Sequence, residues 1–251
     1  MIRQSMARRA EQDPHFRWRG DDVSRIENLS DIVFALTLGM IVQAASAPVT
    51  FGDLLSYLLG IVPAAAGFFV VLVIWNAHYL FFRRYDLRDD RIAKLNAVLL
   101  LFVLFIAYPI RFSFDAFFAW TMGMAGDMSR IETMQMSYGH AGSIMAIYCG
   151  GYAAIFSVFA LMYRHARARA DDIGLTLEER VLTDQKVWQM SATIALALVI
   201  LPLAAFTPAG GFAGFAFFLL WPISWVIHAR FDRRAQRAAT DGLPAGGPTH
   251  G

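Results

Sequence analysis

A single cysteine, Cys149, lies inside an apolar run, so the sequence offers neither a disulfide framework nor a cysteine-based metal site. Charge is scarce too. Asp, Glu, Lys and Arg make up 17% of the 251 residues, against roughly a quarter in ordinary soluble domains. Phosphate-binding, dinucleotide-binding, nucleophile-elbow and zinc-spacing motifs are all missing. No apolar run carries a paired acid and base, so no enzyme activity is expected. A haem would need two histidines at one depth, yet His78 and His140 fall near opposite sides, and His15, His165, His228 and His250 sit in connectors or ends. No cofactor is expected. The second half does not echo the first, so the inverted repeats of many transporters are absent as well.

What is present is apolar length. Hydrophobic residues make up 57% of the chain and the mean hydropathy is +0.46. They gather in runs of about 17–25 residues, enough to cross roughly 30 Å of hydrocarbon. This predicts an all-α, polytopic, multi-pass membrane protein in the lipid bilayer of the inner (plasma) membrane. The expected spans are about 26–46, 54–82, 93–114, 138–163, 188–207 and 211–229. A polar leader, 1–24, precedes a six-helix domain, 25–230, and a basic tail, 231–251, ends in the low-complexity stretch GLPAGGPTHG. The leader lacks the pattern of a cleavable signal peptide. Pro63 is expected to kink or shorten the second span. Gly210 and Gly214 mark either a close-packing face or a tight turn before the last helix.

Every Lys and Arg except Arg111 and Arg130 falls in the leader, the second-to-third connector, the fourth-to-fifth connector or the tail. Excess basic charge marks the cytoplasmic side, so both termini are expected there. Asp86, Asp89, Asp90, Asp171 and Asp172 are interspersed among these basic residues, so no nucleic-acid partner is expected. The connector around 115–137, rich in Met and aromatics, reads as an interfacial segment on the opposite side.

The opening of the first span, SRIENLSDIVFALTLGMIVQ, is unusually polar. Ser24 and Glu27 fit an S-x-x-E capping box. With Ser24 as N-cap, Ser30 and Asp31 lie inside the helix; the other reading makes one of them the N-cap itself. At 100° per residue, Ser30 and Asp31 are expected to turn away from a stripe of Ile32, Leu36, Gly39 and Gln43. A carboxylate at that depth needs partners. Trp75 and His78, near the end of span two, and Asn96, near the start of span three, share its depth, with Arg25 close by. A structural polar network of Arg25, Ser30, Asp31, Trp75, His78 and Asn96 is therefore expected. On the residues alone, the stripe faces either lipid or a neighbouring subunit's pore axis; Gln43 argues against lipid. A rival function is a proton-linked carrier using Asp31 and His78.

The ordered set resembles the transmembrane protein 175 family of potassium channels. R-x-x-x-x-S-D matches Arg25, Ser30 and Asp31; W-x-x-H matches Trp75 and His78, followed by Leu80 and Phe81; Asn96 and Pro109 follow on span three. Leu29 replaces the Phe of the family's Phe-Ser-Asp hallmark. The resemblance implies a single six-helix unit that assembles as a homotetramer. It implies that K+ permeates a pore lined by the first helices, with a hydrophobic constriction instead of a carbonyl filter. By position Leu36 is that constriction, while Gly39 stands where many members have Thr and Gln43 where an apolar residue is common.

Overall fold

The computed structural model describes residues 16–20, 23–43, 47–207 and 210–241. Among the described residues all regular structure is helical: α1 (Arg25–Gln43), α2 (Phe51–Leu59), α3 (Ile61–Tyr85), α4 (Asp90–Met124), α5 (Ser129–Thr133), α6 (Tyr138–Ala168), α7 (Leu177–Phe206), a 3-10 segment (Gly210–Leu219) and α8 (Leu220–Asp241). Six helical stretches are long and apolar enough to cross a membrane, and the chain is an all-α membrane protein. Most of the leader, the 44–46 end of the first expected span and the tail beyond 241 lie outside the described residues.

Helix ends depart from the expected spans for local reasons. The second span is split at Gly60 between α2 and α3, because the ring of Pro63 cannot share a turn with the carbonyl of residue 59. The third does not stop near 114. It continues through Pro109 to Met124, and the Ser113 hydroxyl, donating to the Pro109 carbonyl at 2.7 Å, occupies an acceptor there. The fifth begins earlier, at Leu177, behind a capping box in which the Thr176 hydroxyl accepts from the Glu179 N–H. Apolar runs mark the hydrocarbon crossing, whereas caps mark where helices begin.

The start of the sixth stretch is wound as a 3-10 helix. Both glycines make close approaches: a side chain at Gly210 would collide with the Ala204 carbonyl at the end of α7, and one at Gly214 with Met145 of α6. Both expectations meet at Gly210, whose N–H also closes a turn onto the Thr207 carbonyl at 3.0 Å, while Gly214 approaches the flexible end of Met145. Three residues per turn also align Phe212, Phe215 and Phe218. Their rings stack at 6.4 and 6.2 Å and stay exposed.

α1 packs on α3 and α4; α6 lies against α4 and α7; α8 packs on α7. The core runs through this layer and is richest in rings at the basic end, where Phe16, Phe81, Tyr85 and Tyr163 meet edge-on or tilted. Residues 16–20 of the leader belong to that core. Phe16 is buried against Tyr85, and Gly20 lies so close to the Phe82 carbonyl that a side chain would collide with it. The guanidinium of Arg19 donates to both Glu179 oxygens, at 3.0 and 2.6 Å, and to the carbonyls of Ile173, Gly174 and Arg84. The Arg17 N–H also donates to Glu179, at 2.9 Å. Nearby, Asp89 caps α4 and pairs with His165 of α6 at 2.6 Å. Partial burial pushes the Asp89 carboxyl up. Its hydrogen bonds with His165 and the Ile92 N–H, with Arg169 close by, outweigh that and hold it below its ordinary value.

Candidate functional site

Helix α1 begins as its sequence requires. The Ser24 N–H donates to Glu27 Oε1 at 2.9 Å and the Glu27 N–H to the Ser24 hydroxyl at 3.2 Å, so the capping box forms and Ser24 is the N-cap. Ser30 and Asp31 are therefore inside the helix. One face of α1 is buried: Glu27, Ser30, Phe34, Thr37 and Ile41, spaced alternately three and four apart. This spacing keeps a single stripe turned to one neighbour.

At the basic end of that stripe, three helices share a chain of hydrogen bonds. The Ser30 hydroxyl donates back to the Ile26 carbonyl at 2.7 Å. It accepts from Asn96 Nδ2 of α4 at 2.9 Å. With its amide nitrogen committed to Ser30, Asn96 presents Oδ1 to His78 of α3, whose Nε2–H donates at 2.8 Å. Ser30, His78 and Asn96 are all buried. His78 is also walled by Phe34 at 5.5 Å and Phe82 at 4.7 Å between ring centroids.

Asp31 belongs to a separate contact. One step along the helix from Ser30, it sits at the border of the buried face and is exposed. Its Oδ1 accepts from Trp75 Nε1 at 2.9 Å. Trp75 stacks on Tyr79 at 5.7 Å, and Tyr79 meets Trp18 edge-on at 6.3 Å, so a row of rings leads from Asp31 back to the leader. The expected single polar shoulder is thus two contacts, because 100° of rotation separates Ser30 from Asp31. Arg25 joins neither. It is exposed and makes no hydrogen bond or ion pair with a described residue, since the N1 position of α1 points it away from α3 and α4. No hydrogen bond joins Asp31 to His78 among the described residues, so the geometry of a direct proton relay between them is lacking.

The stripe of Ile32, Leu36, Gly39 and Gln43 lies on the opposite side of α1. Ile32 is 66% exposed and Leu36 55%, Gln43 is exposed, and Gly39 has open space around it. Phe34, two residues before Leu36, is 1% exposed. No other described element covers this arc.

Sequence reasoning missed the buried partners Phe34 and Thr37, although the three-four spacing from Glu27 to Ile41 was there to be read. It also missed the Arg19–Glu179 lock, for which no local signal exists across 160 positions.

Residues 25–107 match the family model described as the endosomal/lysosomal potassium channel TMEM175. A protein named "Potassium channel" from Marivirga tractuosa is 31% identical over 238 residues, which cover 91% of this chain and 96% of that one. The chain belongs to the TMEM175 family. Its backbone resembles that of a variant of the potassium channel MtTMEM175, solved with a nanobody–MBP fusion, with a TM-score of 0.77. That match has 30% identity and covers 88% of this chain and 99% of that one. A lysosomal potassium-selective channel TMEM175 homolog from Chamaesiphon minutus matches with a TM-score of 0.51 over 84% of this chain and 96% of that chain. At 23% identity this likeness speaks to the fold alone. The family and these relatives are potassium channels and not enzymes.

Proposed function

We propose that the chain is a potassium-permeable channel of the inner (plasma) membrane. It works as a homotetramer with both termini cytoplasmic, its first 24 residues and the stretch beyond 230 flanking a single transmembrane unit. In this reading α1 lines the central pathway through Ile32, Leu36, Gly39 and Gln43, and Leu36 forms the constriction. The observation that carries it is the division of α1 into two faces. One is locked to α3 and α4 through Ser30, Asn96 and His78; the other leaves Ile32 and Leu36 uncovered beside a backbone made slim by Gly39. Copies arranged around an axis would cover that arc and leave a narrow apolar passage, where wetting and drying control conduction. K+ is the permeant ion, and no bound cofactor takes part.

Purified protein in liposomes tests this. An outward K+ gradient should drive flux without any pH gradient, and Asp31→Asn should leave that flux largely in place, because an Asn Oδ1 can still accept from Trp75. Flux that requires proton counter-movement and vanishes in Asp31→Asn would favour a carrier and sink the channel.

Gly39 sets a second expectation. A Cβ there meets nothing within 4 Å, so Gly39→Thr should be accommodated and would place hydroxyls on the pathway. Polar groups lining a pore tune ion preference, and the K+ over Na+ permeability ratio should rise several-fold. An unchanged reversal potential under bi-ionic conditions would remove Gly39 from the pathway.

A further inference from the structure

Far from the Ser30–Asn96–His78 contact, a groove of about 760 Å³ opens between α2 and the hairpin made by α4 and α5. Its polar walls are Asp53, Tyr57, Arg111, Asp115, Asp127 and Arg130; Val49, Leu59 and Met122 supply apolar surface beside them. Arg111 lies fifteen positions beyond Asn96 on α4, about 22 Å along the axis. That places the groove at the other boundary of the hydrocarbon. Arg111 is 5% exposed, an expensive location for a permanent cation. Its Nε donates to Asp115 Oδ2 at 2.7 Å. Among the described residues neither Nη1, which is buried, nor Nη2 has a hydrogen-bond partner; a Cβ added at Gly60 would lie 3.3 Å from Nη2. A buried guanidinium with one unused nitrogen, Nη2, on the wall of a cavity is a donor waiting for an oxyanion.

The remaining charges narrow the ligand. Arg130 reaches across the groove, donating to the Ser56 carbonyl at 3.0 Å and lying over the Phe118 ring at 5.0 Å. Asp53 is held by the Val49 and Thr50 N–H groups. Asp127 accepts from the Ser129 hydroxyl and N–H, which hold its carboxyl below the ordinary value and keep it charged. Two cations thus face three carboxylates. A free phosphate dianion meets net repulsion here. A group carrying an anionic phosphodiester and an ammonium together satisfies both signs. The groove also sits at the membrane boundary with apolar surface beside it, where acyl chains can follow.

We propose that this groove binds the headgroup of a zwitterionic phospholipid. The phosphodiester sits on Arg111 and Arg130, and the ammonium lies towards Asp127 and Asp115.

Native mass spectrometry of the detergent-purified full chain tests this, with palmitoyl-oleoyl phosphatidylethanolamine, the matching phosphatidylglycerol and inorganic phosphate as probes. Wild type should retain the ethanolamine lipid about tenfold better than the glycerol lipid, the scale of one charge-assisted contact. Arg111→Gln should reduce that retention by about tenfold. Asp127→Asn should narrow the preference between the two lipids, and Arg130→Gln should weaken both. The last two changes, at exposed Asp127 and half-buried Arg130, lie outside the helix core and keep the test decisive if Arg111→Gln fails to fold. Equal retention of both lipids by wild type, or unchanged retention in Arg130→Gln and Asp127→Asn, would overturn the proposal. So would displacement of the lipid by millimolar inorganic phosphate, which would mark a free-anion site instead.

Discussion

Leu36→Ala should raise basal K+ flux in proteoliposomes by about tenfold and lower the preference for K+ over Na+. The argument begins with exposure. Leu36 is 55% exposed in the chain, so truncating it removes little of the subunit's own packing. In the assembled channel the same side chain would meet its copies around the axis. A ring of isobutyl groups excludes water when the passage is narrow, and a small gain in radius shifts the balance from dry to wet. Phe34→Ala is the control. Phe34 is 1% exposed and packs on His78. Its truncation leaves a core cavity and should cost about 3–5 kcal/mol of stability, without directly widening the pathway. Stopped-flow flux separates the two, alongside thermal unfolding in detergent. Wild-type flux in a folded Leu36→Ala channel would place the constriction elsewhere.

Asn96→Leu should give the largest loss of stability among the polar anchor variants, about 2–4 kcal/mol. Hydrogen bonds between membrane helices are modest on average, about 0.6 kcal/mol in double-mutant cycles. The greater effect comes from what is left behind. Leucine nearly matches the volume of Asn96 but strands the His78 Nε2–H and the Ser30 hydroxyl oxygen in a buried site. Each unsatisfied group costs about 1–3 kcal/mol. Ser30→Ala removes only one partner of Asn96 and should cost less, and the two changes together should cost less than their sum. Arg25→Gln, on an exposed side chain outside the network, should stay within about 0.5 kcal/mol of wild type. Denaturation of the detergent-purified protein measures all four. An Asn96→Leu effect no larger than that of Arg25→Gln would mean that packing alone positions α1.

Much of this arrangement is legible in the chain. The apolar runs yield six membrane-crossing stretches because crossing hydrocarbon demands both length and an absence of charge. Ser24 and Glu27 announce the start of α1 because a capping box is local chemistry. Ser30, His78 and Asn96 can be paired from sequence because helix rise and span order put them at one depth. Other features have no such handle. The boundary between buried Ser30 and exposed Asp31 depends on how far α1 is rotated against α3 and α4, which is set by Phe34, Thr37 and Ile41 packing together. The continuation of α4 beyond 114 to Met124 has no such handle either, since the Met- and aromatic-rich stretch that follows reads equally well as an interfacial segment.

Composition and hydropathy were enough to specify an all-α membrane protein and its number of spans, because both follow from local transfer energies, while the family was legible only through the resemblance of a handful of ordered polar residues to a known pattern. Tertiary packing alone decided that Arg25 stays outside the anchor and that Arg19 closes on Glu179. It also decided that Arg111 is buried with nitrogens to spare. These outcomes depend on which helix faces meet, and that is a property of the whole bundle and of no single segment.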